Sequence, residues 1–327
     1  MSTFHLPKLF CPFTPAMHSN IEELEKEAME RWAGILGLHA KHKAFRKLQA
    51  SRFPVLVGGC HPTASDDGVR LAVDFLYWVF LWDDQFDSGV VSPDWIRQQN
   101  QLATEVLQGT AVLEHDAPPL FWILSDIRDR LVTKMPEAWM QRFIRSVVAY
   151  FEGCAWEAET RVNGTCPDVE TYIHMRRLTV GAYQVLDLIE AAEGFHLNEE
   201  IWSNPIIKEM IDLTSDQLGW ANDLFSLTAD LKDEGHLNLV FSLQKQEGME
   251  LQQAVNATVA MHDAAVKRLI ELEQQLPSFG EKDPEVARFV QGMYRWIRSS
   301  IDWSILTGRY QESDVEPVVS DSVSKAA

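Results

Sequence analysis

This chain of 327 residues is predicted to fold into an all-α structure. Its most apolar stretch, residues 71–82, contains no glycine or proline and is too long for a typical strand. Apolar residues recur at helical spacing after Met249 and again after Asp283. No internal repeat and no persistent alternation of apolar and polar residues is visible. Apolar residues make up 46% of the chain, enough for a sizeable core, but length and composition do not decide between one domain and two.

The N-terminal region is predicted to be an extended arm followed by a helix. Residues 1–20 are too rich in proline for a helix. Asn20 can cap the next helix, which runs to about Leu36 and has favourable acidic residues in its first turn. Pro54 and the Gly58–Gly59 pair then mark a loop.

Helix starts can be placed along the rest of the chain. Ser65 with Asp66–Asp67 caps the helix that contains residues 71–82. Later starts share a proline or a capping residue in the first turn, and they lie at Ser92–Pro93, Pro118–Pro119, Pro136, Cys166–Pro167–Asp168, Pro205 and Asp283–Pro284. Gly181 interrupts one of these helices, since a glycine inside a helix costs about 1 kcal/mol relative to alanine. A mobile tail is predicted for residues 312–327.

Charge and composition exclude several classes of function. The net charge of −19 argues against binding to nucleic acid or to anionic membranes, because these need a basic surface. No apolar stretch approaches the roughly 18 residues of a membrane span, and residues 1–8 lack the pattern of a signal peptide. A cytoplasmic protein is therefore expected. Its four cysteines show no metal-ligand spacing and are expected to be free thiols.

Three carboxylates close the apolar stretch. Asp83 and Asp87 are four residues apart and share a helix face, while Asp84 is turned about 100° away. Two carboxylates on one wall of a water-poor helix repel each other unless a cation lies between them. Oxygen ligands of this kind suit a hard cation such as Mg²⁺. A solvated helix end before Ser88–Gly89 is the alternative interpretation.

A second group of oxygen-bearing side chains follows in a later helix. Asn222, Ser226 and Asp230 recur every four residues, and their stripe drifts by only about 40° per step. Taken alone, they could be ordinary polar residues on a helix surface. Together with Asp83 and Asp87 they indicate a metal site between two helices.

These two motifs resemble those of class I terpene synthases of the microbial type, most of all the sesquiterpene cyclases. Asp83–Asp87 matches the aspartate-rich motif of that family, and Asn222, Ser226 and Asp230 match its NSE triad. The resemblance extends to Arg176, which lies 46 residues before Asn222, and to the Arg309–Tyr310 pair. It implies one catalytic domain, residues 21–311, built as a helical bundle around a central active-site cavity.

The resemblance also implies the reaction: Mg²⁺-dependent ionisation and cyclisation of farnesyl diphosphate to a sesquiterpene, with release of diphosphate. This is the activity of a carbon–oxygen lyase in isoprenoid biosynthesis and secondary metabolism. Three Mg²⁺ ions per active site are implied, held by the metal ligands Asp83, Asp87, Asn222, Ser226 and Asp230. The implied diphosphate donors are Arg176, Arg309 and Tyr310. A monomer or homodimer that binds a prenyl diphosphate is expected.

A carbocation formed in this reaction must be kept from water, and aromatic faces stabilise it by about 0.5–2 kcal/mol per contact. The candidates beside the motifs are Phe80, Phe86, Trp220 and Trp303. Each of them could instead belong to the ordinary core.

The sequence departs from the family pattern at two positions. Asp230 stands where glutamate is common, and Ala229 stands where a basic residue is often found, so one diphosphate contact is missing or comes from Lys232. Arg176 and Arg177 are adjacent, and helix register decides which of them faces the site. Arg176 is the preferred candidate.

Several alternatives stay open at this point. The chain could be a degenerate, non-catalytic homologue, or a cyclase that acts on geranyl or geranylgeranyl diphosphate. A chain-elongating prenyltransferase would need a second DDxxD motif in place of the triad. A helical di-iron protein would need two Glu-x-x-His motifs, and only Glu193–His196 fits.

Overall fold

The computed structural model describes residues 4–38, 43–87, 92–232 and 237–310. These residues form fourteen α-helices and a short 3₁₀ turn, and within them there is no strand. The all-α prediction is confirmed. The predicted tail, residues 312–327, lies outside the described residues.

The helices are numbered here in chain order. They are α1 (Ile21–Ile35), α2 (Lys43–Ser51), α3 (Phe53–Cys60), α4 (Asp66–Asp87), α5 (Pro93–Gln108), α6 (Pro119–Lys134), α7 (Glu137–Asn163), α8 (Val169–Thr179), α9 (Ala182–Glu193), α10 (Glu199–Trp202), α11 (Pro205–Lys232), α12 (Leu239–Glu247), α13 (Leu251–Glu273) and α14 (Asp283–Leu306). The 3₁₀ turn, Gly280–Lys282, leads into α14.

Side-chain caps start several helices at the predicted places. Ser92 Oγ accepts a hydrogen bond from the Trp95 amide at the start of α5. Asp168 Oδ1 accepts one from the Thr171 amide at the start of α8. Each cap satisfies a backbone N–H that has no partner within the helix. These predicted starts are confirmed.

Two local predictions are wrong. The stretch predicted to be a loop at Pro54 and Gly58–Gly59 is helix α3, since Pro54 lies in the first turn, where its missing N–H costs nothing. A Cβ atom at Gly59 would lie 2.5 Å from Ser299 Oγ, so a residue without a side chain lets α3 pack closely on α14. Asn20 forms no cap, because its Nδ2 donates instead to Asp66 Oδ2 at 2.8 Å.

The bundle packs around α4 and α11. Helix α4 contacts α3, α6 and α9, and α11 contacts α8, α9, α13 and α14. Trp78 and Trp82 of α4 are buried and stack on each other with ring centroids 5.3 Å apart. The described part of the N-terminal arm lies on α13 and α14: the Phe10 amide donates to Asp263, and the Phe13 ring stacks on Tyr294 at 4.1 Å.

Two further predictions concern the chain as a whole. No helix in the four described ranges is long and apolar enough to cross a membrane. All four cysteines, Cys11, Cys60, Cys154 and Cys166, are free thiols, as predicted.

Candidate active site

A cavity of about 100 Å³ lies inside the bundle, between the ends of α4 and α11. Most of its lining is apolar, contributed by α3, α4, α9, α11 and α14. Asp83 and Asn222, one from each motif, both line it. A larger surface cleft of about 370 Å³ lies near Arg142 and Asp187, but none of the motif residues lines it. The inner cavity is therefore the candidate site.

The α4 side of the cavity carries the aspartate-rich motif. Asp83 Oδ1 accepts a hydrogen bond from Tyr150 Oη at 3.3 Å. Asp84 points elsewhere, as the predicted rotation requires, and pairs with Arg309 at 3.1 Å and with Lys47 at 3.3 Å. The side chains of Phe86 and Asp87 lie outside the described residues.

The α11 side carries the triad. Asn222 Oδ1 accepts from Arg176 Nη2 at 2.6 Å, and Asn222 Nδ2 donates to Tyr310 Oη at 2.6 Å. Ser226 Oγ donates to Asp230 Oδ2 at 2.8 Å. The structure therefore brings Asn222 together with Arg176 and Tyr310, which lie far away in sequence, and bonds Ser226 to Asp230.

The choice between the two adjacent arginines follows from the helix register. Arg176 contacts Asn222 and also donates from Nε to Asp223 Oδ1 at 3.0 Å. Arg177 turns away and binds both carboxylate oxygens of Asp216, each at 2.7 Å. Burial works against the charge of Arg176, but Asp223 and the other acidic groups nearby together outweigh burial, and the pKa of Arg176 is raised. Its guanidinium therefore stays charged.

Asp223 is a residue that the sequence analysis missed. It is buried, and besides Arg176 it accepts from Tyr172 Oη at 2.7 Å and from the Leu239 amide at 3.2 Å. Burial raises the pKa of Asp223, and the charge of Arg176 opposes that rise. Its position directly after Asn222 was visible in the sequence. It was passed over because it is turned about 100° from the triad stripe.

Asn238 was also missed. It is buried at the start of α12, and its Nδ2 donates to Asp230 Oδ2 and to the Asp223 carbonyl, both at 2.8 Å. Burial raises the pKa of Asp230 to about 6, and the hydrogen bonds from Asn238 and Ser226 oppose that rise. Nothing in the local sequence pattern links residue 238 to the triad.

The Arg309–Tyr310 pair follows the end of α14 and lies beside the site. The Arg309 guanidinium lies 4.9 Å from the centre of the Phe80 ring, in addition to its ion pair with Asp84. Burial raises the pKa of Tyr310, so its hydroxyl stays protonated and can donate. Tyr310 also contacts the Trp303 ring, with centroids 5.9 Å apart.

The aromatic candidates differ in position. Phe80 and Trp303 line the cavity, and so does Trp296, which was not among the aromatic candidates. Trp220 is buried but does not line the cavity. Its neighbour Ala221 does, and successive residues of a helix point about 100° apart, so Trp220 faces the packing of the bundle instead.

The helix break predicted at Gly181 is confirmed. Helix α8 ends at Thr179, α9 begins at Ala182, and Gly181 has a φ of 72°. Residues 179–182 line the cavity. At the far end of α11, Ala229 and Lys232 are exposed.

The oxygen atoms of the site fit a hard divalent cation. No group of three or more His, Cys, Asp or Glu side chains within the described residues could hold a metal, so Asn222 and Ser226 would have to contribute. Ser226 Oγ and Asp230 Oδ2 are 2.8 Å apart. Neighbouring ligands of an octahedral Mg²⁺ at about 2.0–2.1 Å are separated by about 3 Å, so the two atoms suit one ion.

The chain is similar to known proteins over nearly its whole length. It is 32% identical to germacrene A synthase of Nostoc punctiforme over 95% of this chain and 96% of that protein. It is 31% identical to 10-epi-cubebol synthase of Sorangium cellulosum over 94% of this chain and 98% of that protein. Among solved structures, wild-type cucumene synthase gives a TM-score of 0.76 at 25% identity, covering 91% of this chain and 99% of that one.

The family assignment rests on a separate match. Residues 74–268, which include Asp83, Arg176 and the triad, match the family described as terpene synthase family 2, C-terminal metal binding. The resemblance to microbial class I sesquiterpene cyclases expected from the two motifs is confirmed. This chain belongs to terpene synthase family 2.

Proposed function

We propose that this protein catalyses the metal-dependent cyclisation of farnesyl diphosphate to a sesquiterpene hydrocarbon or alcohol, with release of diphosphate. One observation carries the proposal: an apolar cavity has Asp83 on one side and the Asn222 end of the triad on the other. Apolar walls beside these polar groups suit an isoprenoid chain with a charged head. The relatives named as germacrene A synthase and 10-epi-cubebol synthase support the same reaction class.

The metal ligands in this proposal are those of the two motifs. They are Asp83, Asp87, Asn222, Ser226 and Asp230, and they would hold Mg²⁺, with three ions per active site. Bound divalent ions supply Lewis acidity that stabilises the negative charge growing on the leaving diphosphate. The side chain of Asp87 lies outside the described residues. The side chains of Asp83, Asn222, Ser226 and Asp230 are held by hydrogen bonds, so these four ligands are partly ordered in advance.

Arg176, Arg309 and Tyr310 are the proposed diphosphate donors. Arginine suits this role because its planar fork stays charged and binds phosphate oxygens in pairs. Asp223 holds Arg176 through Nε, while Nη2 is directed at Asn222 and Nη1 at Thr179. Donors that are fixed in this way stabilise a leaving group without reorganising during the reaction.

The cavity walls protect the carbocation that follows ionisation. Phe80 and Trp303 present aromatic rings to the cavity, and Phe86 is proposed beside them from the sequence alone. The cavity of about 100 Å³ is smaller than the roughly 300–1,000 Å³ of typical ligand pockets. Binding of a C15 chain therefore requires the walls to move apart, and closure afterwards would exclude water.

The organisation of the chain is part of the proposal. Residues 21–311 form one catalytic domain, and residues 1–20 form an arm before it. The protein works in the cytoplasm as a monomer or homodimer.

The test is incubation of the purified protein with farnesyl diphosphate, with and without Mg²⁺, followed by mass spectrometry of the volatile products. We expect a cyclic C15 product that requires Mg²⁺ and is absent with Asp83→Asn. Geranyl and geranylgeranyl diphosphate are run in parallel, because a better C10 or C20 substrate would correct the chain length. If none of the three gives a product, the protein is a non-catalytic homologue.

A further inference from the structure

We propose that Asn238 is a positioning residue that holds Asp230 in the orientation needed to bind metal. The inference rests on the proposed function, because it takes the triad as a metal site. Asn238 is fully buried at the start of α12, and Asp230 lies near the end of α11. The Asn238 amide therefore joins the metal side of α11 to the next helix.

The three partners of Asn238 fix which way its amide points. Nδ2 donates to Asp230 Oδ2 and to the Asp223 carbonyl, and Oδ1 accepts from the Val240 amide at 3.0 Å. A carboxylate and a carbonyl only accept, while a backbone amide only donates. A flipped amide would lose all three hydrogen bonds, so only one orientation satisfies the site.

The bond to Asp230 matters because that carboxylate would otherwise be held only weakly. Asp230 is one methylene shorter than the glutamate common at this position, and it therefore projects less far from α11. Ser226 and Asn238 each donate to the same oxygen, Asp230 Oδ2, at 2.8 Å. Two donors from different helices fix both the position and the direction of the carboxylate. Partners of metal ligands typically change metal affinity by about 10–100-fold when they are removed.

Substitution of Asn238 with serine or aspartate distinguishes the positioning of Asp230 from the capping of α12. Both residues are good N-caps and keep the bond to the Val240 amide. Neither can donate to Asp230 and the Asp223 carbonyl together, and aspartate is the same size as asparagine. Asn238→Ser is the first variant, and Asn238→Asp serves if the serine variant does not fold.

The readout is the affinity for Mn²⁺ in the presence of inorganic diphosphate, measured by electron paramagnetic resonance. We expect Asn238→Ser to bind Mn²⁺ about 10–100-fold more weakly than the unsubstituted protein. Asn198→Ala is the matched control, because Asn198 caps α10 through the Ile201 amide and does not line the cavity. It should bind Mn²⁺ normally.

Wild-type Mn²⁺ affinity in a folded Asn238 variant would overturn the inference. So would an equal loss in Asn198→Ala, which would show that the loss is not specific to the contact with Asp230. The proposed function fails by a different observation, the absence of product with intact protein. A protein whose Mn²⁺ affinity depends on Asn238 but that forms no terpene would keep the inference and lose the proposed reaction.

Discussion

The two sides of the cavity each carry an arginine–aspartate pair of nearly equal length but of different burial. On the α11 side, Arg176 and Asp223 are 3.0 Å apart, with side chains 15% and 3% exposed. On the α4 side, Arg309 and Asp84 are 3.1 Å apart, with 19% and 25% exposed. A further partner of Asp84, Lys47, is 62% exposed.

This difference shows why the distance between the two charged groups does not by itself indicate how much an ion pair contributes to stability. Breaking a buried pair leaves an uncompensated charge in a poorly solvated place, whereas water replaces a lost partner at the surface. Asp223 is also bound by Tyr172 and by the Leu239 amide. We therefore expect the α11 side to be fixed before substrate binds, and the α4 side to adjust when it binds.

The largest expected effect comes from removing the buried arginine. Arg176→Met leaves Asp223 without its cation and should lower the free energy of unfolding by about 3–5 kcal/mol in urea titrations. Loss of this fixed donor should also reduce kcat by about 10²–10³-fold. Arg309→Met should cost less, because Asp84 is more exposed than Asp223 and keeps Lys47 as a second partner. Equal stability losses in the two variants would contradict the comparison.

Two glycines allow an effect of substitution on stability to be distinguished from an effect on catalysis. Gly181 and Gly164 both have positive φ, 72° and 61°, and a Cβ atom would clash at neither position. Alanine at either site should cost about 1–2 kcal/mol of unfolding free energy, because the left-handed conformation is unfavourable. Only Gly181 lines the cavity, so only Gly181→Ala should change the product mixture in mass spectrometry. An unchanged product mixture would show that the helix break is not part of the active site.

A smaller effect is expected at the aromatic wall of the α4 side. Phe80→Leu removes a ring that faces the cavity and should lower kcat by about 2–30-fold, the equivalent of 0.5–2 kcal/mol. Phe75→Leu is the control, since Phe75 is fully buried and does not line the cavity. It should reduce stability but leave steady-state kcat unchanged. A larger kcat loss for Phe75→Leu would show that packing, not the ring face, matters.

The smallest effect is expected at Lys47. Its 3.3 Å contact with Asp84 is largely exposed, so Lys47→Met should change the unfolding free energy by at most about 1 kcal/mol. The loss should disappear in 1 M salt, where exposed charges are screened. A loss comparable to that of Arg176→Met would mean that the α4 side is as rigid as the α11 side.

Helical spacing was sufficient to predict much of this site. Residues four apart share a helix face, and the triad at Asn222, Ser226 and Asp230 does lie on one stripe with Ser226 bonded to Asp230. The break at Gly181 followed from the low helix propensity of glycine. Local patterns of this kind can be predicted because the residues that determine the structure lie within a few positions of each other in the sequence.

The features that the sequence did not predict depend on contacts between distant segments. Asn238 reaches Asp230 only because α12 returns to the end of α11. Trp220 was proposed for the cavity from its nearness to the motif, but its rotation on α11 turns it elsewhere. Helix α3 was missed because Gly59 serves the close approach of α14, a partner about 240 residues further along the chain.

The opposite directions of Arg176 and Arg177 also constrain how this protein can change in evolution. Their partners, Asp223 and Asp216, lie seven residues apart on α11 and therefore on nearly the same face. Two neighbouring side chains of α8 thus form ion pairs at two positions along α11. Insertions in the loop before Asp168 leave both ion pairs intact and should be tolerated. A single insertion between Tyr172 and Arg176 would rotate the following residues by about 100°, so that Met175 would take the place of Arg176 beside Asn222 and Arg176 would turn away.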